Sequence, residues 1–212
     1  MALRRDAQRN LERLTAAAVE VFHERGLDAP LEEIARRAGV SPGTLYNRFA
    51  GRDALIDAVM PGLIAARLEA ARTEALACAD AWEGFVGYVV RMCELQASDP
   101  ALDDAMSRRF PDAAELTALC DAQLDFVREI VARAHAAGAL RADFTVEDLP
   151  LLMWSTSMVV RATAGVAPQV WRRALALLLD GLRPAAAHPL PVPPLTEPQL
   201  HEAMTSLALR SR

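Results

Sequence analysis

Within one short stretch, Gly43, Thr44, Tyr46, Asn47 and Arg48 set two hydroxyls, a carboxamide and a guanidinium beside a glycine. Leu45 and Phe49 take the other side of the same run at helical spacing. The polar side has no role in a core. Its chemistry is hydrogen bonding and anion binding, and Gly43 allows a close backbone approach.

Groups that could make or break bonds are placed differently. His23, His135, His188 and His201 lie far apart, without metal-ligand spacing. Cys78, Cys93 and Cys120, an odd number at wide spacing, fit a reducing cytoplasm and buried inert thiols lacking an adjacent basic cluster. Asp103 with Asp104, and Asp121 with Asp125, read as solvated charge on exposed helix faces. There is no glycine-rich phosphate loop and no nucleophile–base set, so no enzyme, metal site or cofactor is expected.

The residues that must hold the polar set in place run from Leu31 to Leu55. This stretch reads as two short helices, a tight turn between them, and the start of a third. Ile34, Ala35 and Ala38 give the first helix a small apolar face, and Gly39 supplies the turn. Val40 plugs the turn into the core, Ser41 can cap the second helix, and Pro42 suits its first turn. The second helix, about 42–49, then presents its polar side outward, as a helix-turn-helix with a reading face. A protein–protein module of the same shape is the alternative.

The rest of the chain is helical by period. A first helix spans about 8–25 after a short arm carrying Arg4 and Arg5. Further helices are expected at about 52–77, 81–97, 101–109, 112–137, 146–164 and 168–182, with Pro61–Gly62 kinking or splitting the first of these. The helices at 146–164 and 168–182 are apolar around much of their circumference, more than one small core absorbs, which points to a partner surface. Residues 183–195 hold five prolines and should be extended, and a final segment near 197–209 forms a short helix or frays.

The formal net charge is −5, unevenly distributed. Residues 1–52 hold nine arginines against seven carboxylates, and residues 53–212 hold fourteen against twenty-one. A weakly basic end on an acidic body suits a chain with one end facing DNA. No apolar run is long enough for a membrane span, and the N-terminus is too polar for a signal peptide.

The motif residues Ile34–Ala35, Ala38–Gly39–Val40–Ser41, Gly43–Thr44–Leu45–Tyr46, Phe49, Arg52 and Leu55 resemble the DNA-binding domain of TetR/AcrR-type transcriptional regulators over roughly residues 9–56. The helical remainder resembles that family's ligand-binding and dimerisation domain in architecture only. The resemblance implies a DNA-contacting set of Ser41, Pro42, Gly43, Thr44, Tyr46, Asn47, Arg48 and Arg52. Thr44 and Tyr46 would meet the DNA backbone or bases, Pro42 and Gly43 the groove floor, and Arg48 and Arg52 phosphates. Pro30 stands where a threonine is usual, which removes a capping hydroxyl ahead of the second helix.

The expectation is therefore an all-α chain of three parts. Residues 1–52 form a helix-turn-helix DNA-binding domain, residues 53–183 a helical ligand-binding and dimerisation domain, and residues 184–212 a Pro-rich segment and tail. By the resemblance it is a cytoplasmic homodimer, paired through the helices at 146–164 and 168–182. It would repress from a palindromic double-stranded DNA operator until released by an unidentified small-molecule effector. Trp82, Phe85, Tyr88, Met92, Phe126 and Trp154 are the candidates for the effector pocket. A ligand sensor without a DNA role, and an enzyme on a helical scaffold, are the alternatives from other classes.

Overall fold

The computed structural model describes residues 2–210, with side chains for residue 6 and for 8–209. Among these residues are ten α-helices, one 3-10 turn and no strand. The first three helices, α1 (Ala2–Arg25), α2 (Leu31–Ala38) and α3 (Pro42–Arg48), make the N-terminal unit. Helix α1 starts at Ala2 and not near Gln8, so the expected arm is helical there; the side chains of Arg4 and Arg5 lie outside the described ones. Its stripe of Leu14, Ala18, Val21 and Phe22 is fully buried and packs against α2 and the helix that follows α3.

The turn between α2 and α3 forms where the glycine requires it. Gly39 takes φ +66°, and the Val40 amide reaches back to the Ala35 carbonyl at 3.0 Å, closing the helix end. The Arg13 guanidinium donates to the Gly39 carbonyl at 2.9 Å, and a Cβ on Gly39 would sit against that same guanidinium. Pro30 precedes α2 without any side-chain cap, while Glu32 and Glu33 in the first turn interact favourably with the positive end of the helix dipole.

Helix α4 (Arg52–Ala77) is one unbroken run through Pro61; the expected split does not occur. Val59, Met60 and Ile64 are buried on both sides of the proline, so packing holds the segment together across the lost backbone hydrogen bond. Its first turns pack on α1, and it also packs along the body helices α5 (Ala81–Ser98) and α7 (Ala114–Ala136). Helix α5 is central, touching α4, α6 (Pro100–Ser107), α7, α8 (Asp148–Thr163) and α9 (Val170–Gly181). Asp80 caps α5 by accepting from the Glu83 amide at 2.9 Å, and Asp99 caps α6 by accepting from Ala101 at 2.8 Å. At the start of α8 Asp148 accepts from the Thr145 amide at 2.8 Å.

Beyond α9 the chain crosses an exposed, proline-rich strap to α10 (Glu197–Arg210). Thr196 and Gln199 cap this helix reciprocally, at 2.9 and 3.4 Å. It does not fray. Leu200, Met204 and Ala208 are buried against the body, and the Arg109 amide donates to the Met204 carbonyl at 3.2 Å. No helix among the described residues is long and apolar enough to cross a membrane.

Candidate functional site

Helix α3 turns Leu45 inward and leaves most of its surface exposed. Ser41, Pro42, Gly43, Tyr46, Asn47 and Arg48 are exposed, Thr44 is half-buried, and Phe49 is buried just past the helix end. Ser41 accepts from the Thr44 amide at 3.2 Å, and the two hydroxyls share a hydrogen bond at 2.9 Å. Both groups are thus oriented before any ligand arrives. The Tyr46 ring is 50% exposed, and its hydroxyl donates to Glu32 at 3.3 Å. A helix this short, set against α2 with its polar side bare, fits the major groove of DNA, where three or four side chains read base edges.

The structure divides the two arginines expected at phosphates. Arg48 is exposed at the end of α3. Arg52 donates from Nη1 to the carbonyl oxygens of Leu27 and Ala29 at 2.6 and 2.7 Å, tying the start of α4 to the loop before α2. Behind the reading face, α1 and α2 are clasped by Arg37, which meets Glu24 at 2.5 and 2.8 Å and Glu33 at 3.5 Å. The hydrogen bonds from Arg37 hold the Glu24 carboxyl below its ordinary range.

The six pocket candidates separate. Tyr88 and Met92 line a cavity of about 110 Å³ in the helical body, together with Ile64, Leu124, Met153 and Met204. Phe126 stands behind Tyr88, edge to face at 5.4 Å. Trp82 and Phe85 are elsewhere: Trp82 lies under the Arg183 guanidinium at 4.1 Å, and Phe85 packs against Phe144 at 5.8 Å. Trp154 lines a separate cleft of about 720 Å³ between the N-terminal unit, α6, α8 and α10, where its indole donates to the Ser107 carbonyl at 3.1 Å. Burial pushes the Tyr88 phenol up to about 12, against the opposing effect of Gln123, whose amide donates to it at 2.7 Å.

Two readings are corrected. Asp103 and Asp104 are not solvated. Asp103 is buried and accepts from Gln96 at 3.0 Å and Ser157 at 2.7 Å, joining α5, α6 and α8. Asp104 accepts from the Leu27 amide at 2.8 Å and lies 2.6 Å from Arg108, which donates to Asp28 at 2.8 Å. This node joins α6 to the N-terminal unit, and a Cβ on Gly26, whose φ is +77°, would lie 2.6 Å from Asp104 Oδ2. Burial raises the Asp104 carboxyl, and Arg108 and the Leu27 amide oppose it. No local signal foretold the node, because its partners lie 77 and 80 residues apart in sequence. The second correction concerns Cys120, which has the basic neighbour, Arg109, that its local sequence lacks; burial nonetheless raises the thiol and outweighs that arginine.

Comparison with known proteins accords with this geometry. The sequence profile described as "Bacterial regulatory proteins, tetR family" matches residues 14–59, and that of "Transcriptional regulator SbtR-like, C-terminal domain" matches residues 78–184. The uncharacterized HTH-type transcriptional regulator YvdT of Bacillus subtilis is 39% identical over 59 residues, which is 27% of this chain and 30% of that protein. The curated relatives are thus matched over 26% to 42% of their length. A TetR transcriptional regulator from Streptomyces coelicolor is 30% identical with a TM-score of 0.50, over 82% of this chain and 99% of its own. FadR from Bacillus subtilis, solved in complex with stearoyl-CoA, shares the fold at 17% identity with a TM-score of 0.59, over 82% and 100%.

Proposed function

Because the chain belongs to the TetR family of bacterial transcriptional regulators, we propose that it is a homodimeric repressor, released from a palindromic operator by a small molecule. It is a DNA-binding transcriptional regulator and not an enzyme. The observation that carries the proposal is the outer side of α3, where Tyr46, Asn47 and Arg48 stand exposed on a helix held rigidly by Leu45, Phe49 and the Ser41 cap. Ser41, Pro42, Gly43 and Thr44 form the end that enters the groove first, and Arg48 reaches a phosphate. Arg52 contributes by ordering the unit.

Dimerisation is supported by apolar side chains that the single chain leaves uncovered. Leu151 and Met158 of α8, and Leu177 and Leu178 of α9, are exposed. Pairing these helices across a two-fold axis makes a four-helix interface, and two-fold symmetry requires a symmetric DNA site. The half-sites would be centred about 34–36 Å apart, or a multiple of that. Ligand response is supported by the cavity in the body and by the node linking α6 to the N-terminal unit. FadR, of the same fold, holds stearoyl-CoA.

Selection of bound duplexes from a random pool, followed by footprinting on the DNA upstream of the chain's own coding region, tests the proposal. Enrichment of one inverted repeat, protected on both half-sites, is expected. Binding without sequence preference, or to an unrepeated site, overturns the dimeric reading of DNA.

A further inference from the structure

We infer that the cavity between α4, α5, α7 and α8 takes a small apolar carboxylic acid, its carboxylate on Arg109 and its hydrocarbon body among Met92, Leu124 and Met153. The inference rests on the proposed ligand response and gives it a chemical class.

The wall of the cavity is almost wholly hydrocarbon and thioether. Among its described residues Arg109 is the one charged side chain, and no carboxylate faces it. Arg109 is only 12% exposed. Its Nη2 lies 3.1 Å from Asp121, itself 64% exposed at the surface. Its Nη1 is buried and meets no hydrogen-bond acceptor. A buried cationic donor left in this state is costly, and a ligand that supplies an anionic oxygen removes the cost. The planar fork of a guanidinium suits the two oxygens of a carboxylate.

The other polar groups do not compete for that role. Gln123 and the Tyr88 hydroxyl are joined to each other at 2.7 Å, and the Cys120 thiol, which burial keeps protonated, offers Arg109 only a weak sulfur acceptor. These groups and Arg109 come from α7, α5 and the residues just after α6. The walls from α4 and α8, with Leu200 and Met204 of α10, are apolar. A cation would face the guanidinium, whose carboxylate partner, Asp121, does not line the cavity. A neutral hydrocarbon would fit the space but leave Nη1 without a partner, so the site discriminates by charge at one end.

Size narrows the class further. The cavity measures about 110 Å³, and an engineered apolar cavity of roughly 150 Å³ accepts benzene. In proportion, a hydrocarbon tail of about four or five carbons beyond the carboxylate fits, with its far end beneath α10. The backbone amide of Arg109 holds the Met204 carbonyl of that helix, so anchor and roof meet at one residue.

The test is calorimetric titration of the full chain with hexanoate and with hexan-1-ol, two bodies of one size differing in the head group. Hexanoate is expected to bind one per chain, about tenfold or more tighter than the alcohol. Arg109→Gln should lose that preference while keeping the alcohol's affinity, which also reports that the variant is folded. Leu124→Trp, filling the space from a half-buried position, should lose both. Equal affinity for the two probes, or a preference for hexanoate that survives Arg109→Gln, overturns the acid and leaves the cavity as a ligand site. Failure of both probes to bind overturns the acid and the cavity together, while the DNA selection stands or falls separately.

Discussion

Arg48 and Arg52 carry the same charge on neighbouring helices, and their surroundings give them different work. Arg48 lies exposed beside Tyr46 and Asn47, and on the proposed DNA-reading face it would meet phosphate without reading sequence. Arg48→Ala should weaken all duplexes nearly alike and lower the slope of log affinity against log salt by about one. Fluorescence anisotropy across a salt series measures both, and a changed sequence preference at constant slope would place Arg48 on a base. Arg52→Ala should act first on stability, because two loop carbonyls lose their donor. The half-buried site argues for the lower part of the range for such bonds, about 1–2 kcal/mol, or a fall of a few degrees in Tm. The polar inventory of α3 was legible in the sequence because helical spacing alone decides which of those side chains share a face. The role of Arg52 was not, since its acceptors sit 25 and 23 residues back, in a loop whose position depends on the whole unit.

Helix α6 is short, yet it faces the cavity with Met106 and the N-terminal unit with Asp104, and Arg108 and Arg109 follow it in opposite directions. A ligand drawn onto Arg109 therefore acts next to the contact that Arg108 makes with Asp28. Asp28→Asn keeps the shape and removes the charge, so it should reduce the effect of a bound acid on DNA affinity from a typical 5–150-fold toward onefold. Anisotropy with and without hexanoate checks this, and an unchanged effect would assign the coupling to another contact. Between α1 and α2 the Arg37–Glu24 clasp gives a dependence on pH. The Glu24 carboxyl is held down in the folded chain, so its stabilising effect is present above the ordinary carboxylate range and lost as pH falls through its lowered value. The Tm of the wild type should exceed that of Arg37→Met at neutral pH, and the two should converge on acidification. Element boundaries were readable from Ser41 as a cap and Gly39 as the turn residue. The destination of α10 was not, because an amphipathic helix states that one face is buried without stating against what.

At the scale of the whole molecule, the question is what covers the apolar side chains of α8 and α9. Part of their excess goes into the core of the single chain, where Trp171, Leu175 and Leu179 are buried. Met158 and Leu177 remain 58% and 63% exposed, and Leu151 and Leu178, also exposed, line one hollow together. A two-fold pairing would bury these residues far from α3 and set the spacing of the two reading helices. Leu177→Glu with Leu178→Glu should therefore yield a monomer whose helical content is unchanged, since both positions face solvent in one chain. Binding to a single half-site should be kept, while binding to the full palindrome should fall by about 100-fold or more, because the second contact is no longer intramolecular. Light scattering on the eluting protein gives the mass, and anisotropy on half and full sites gives the affinities. A dimer that survives both substitutions would move the interface to another face. A monomer that still holds the palindrome at full affinity would remove symmetry from the account of DNA recognition altogether.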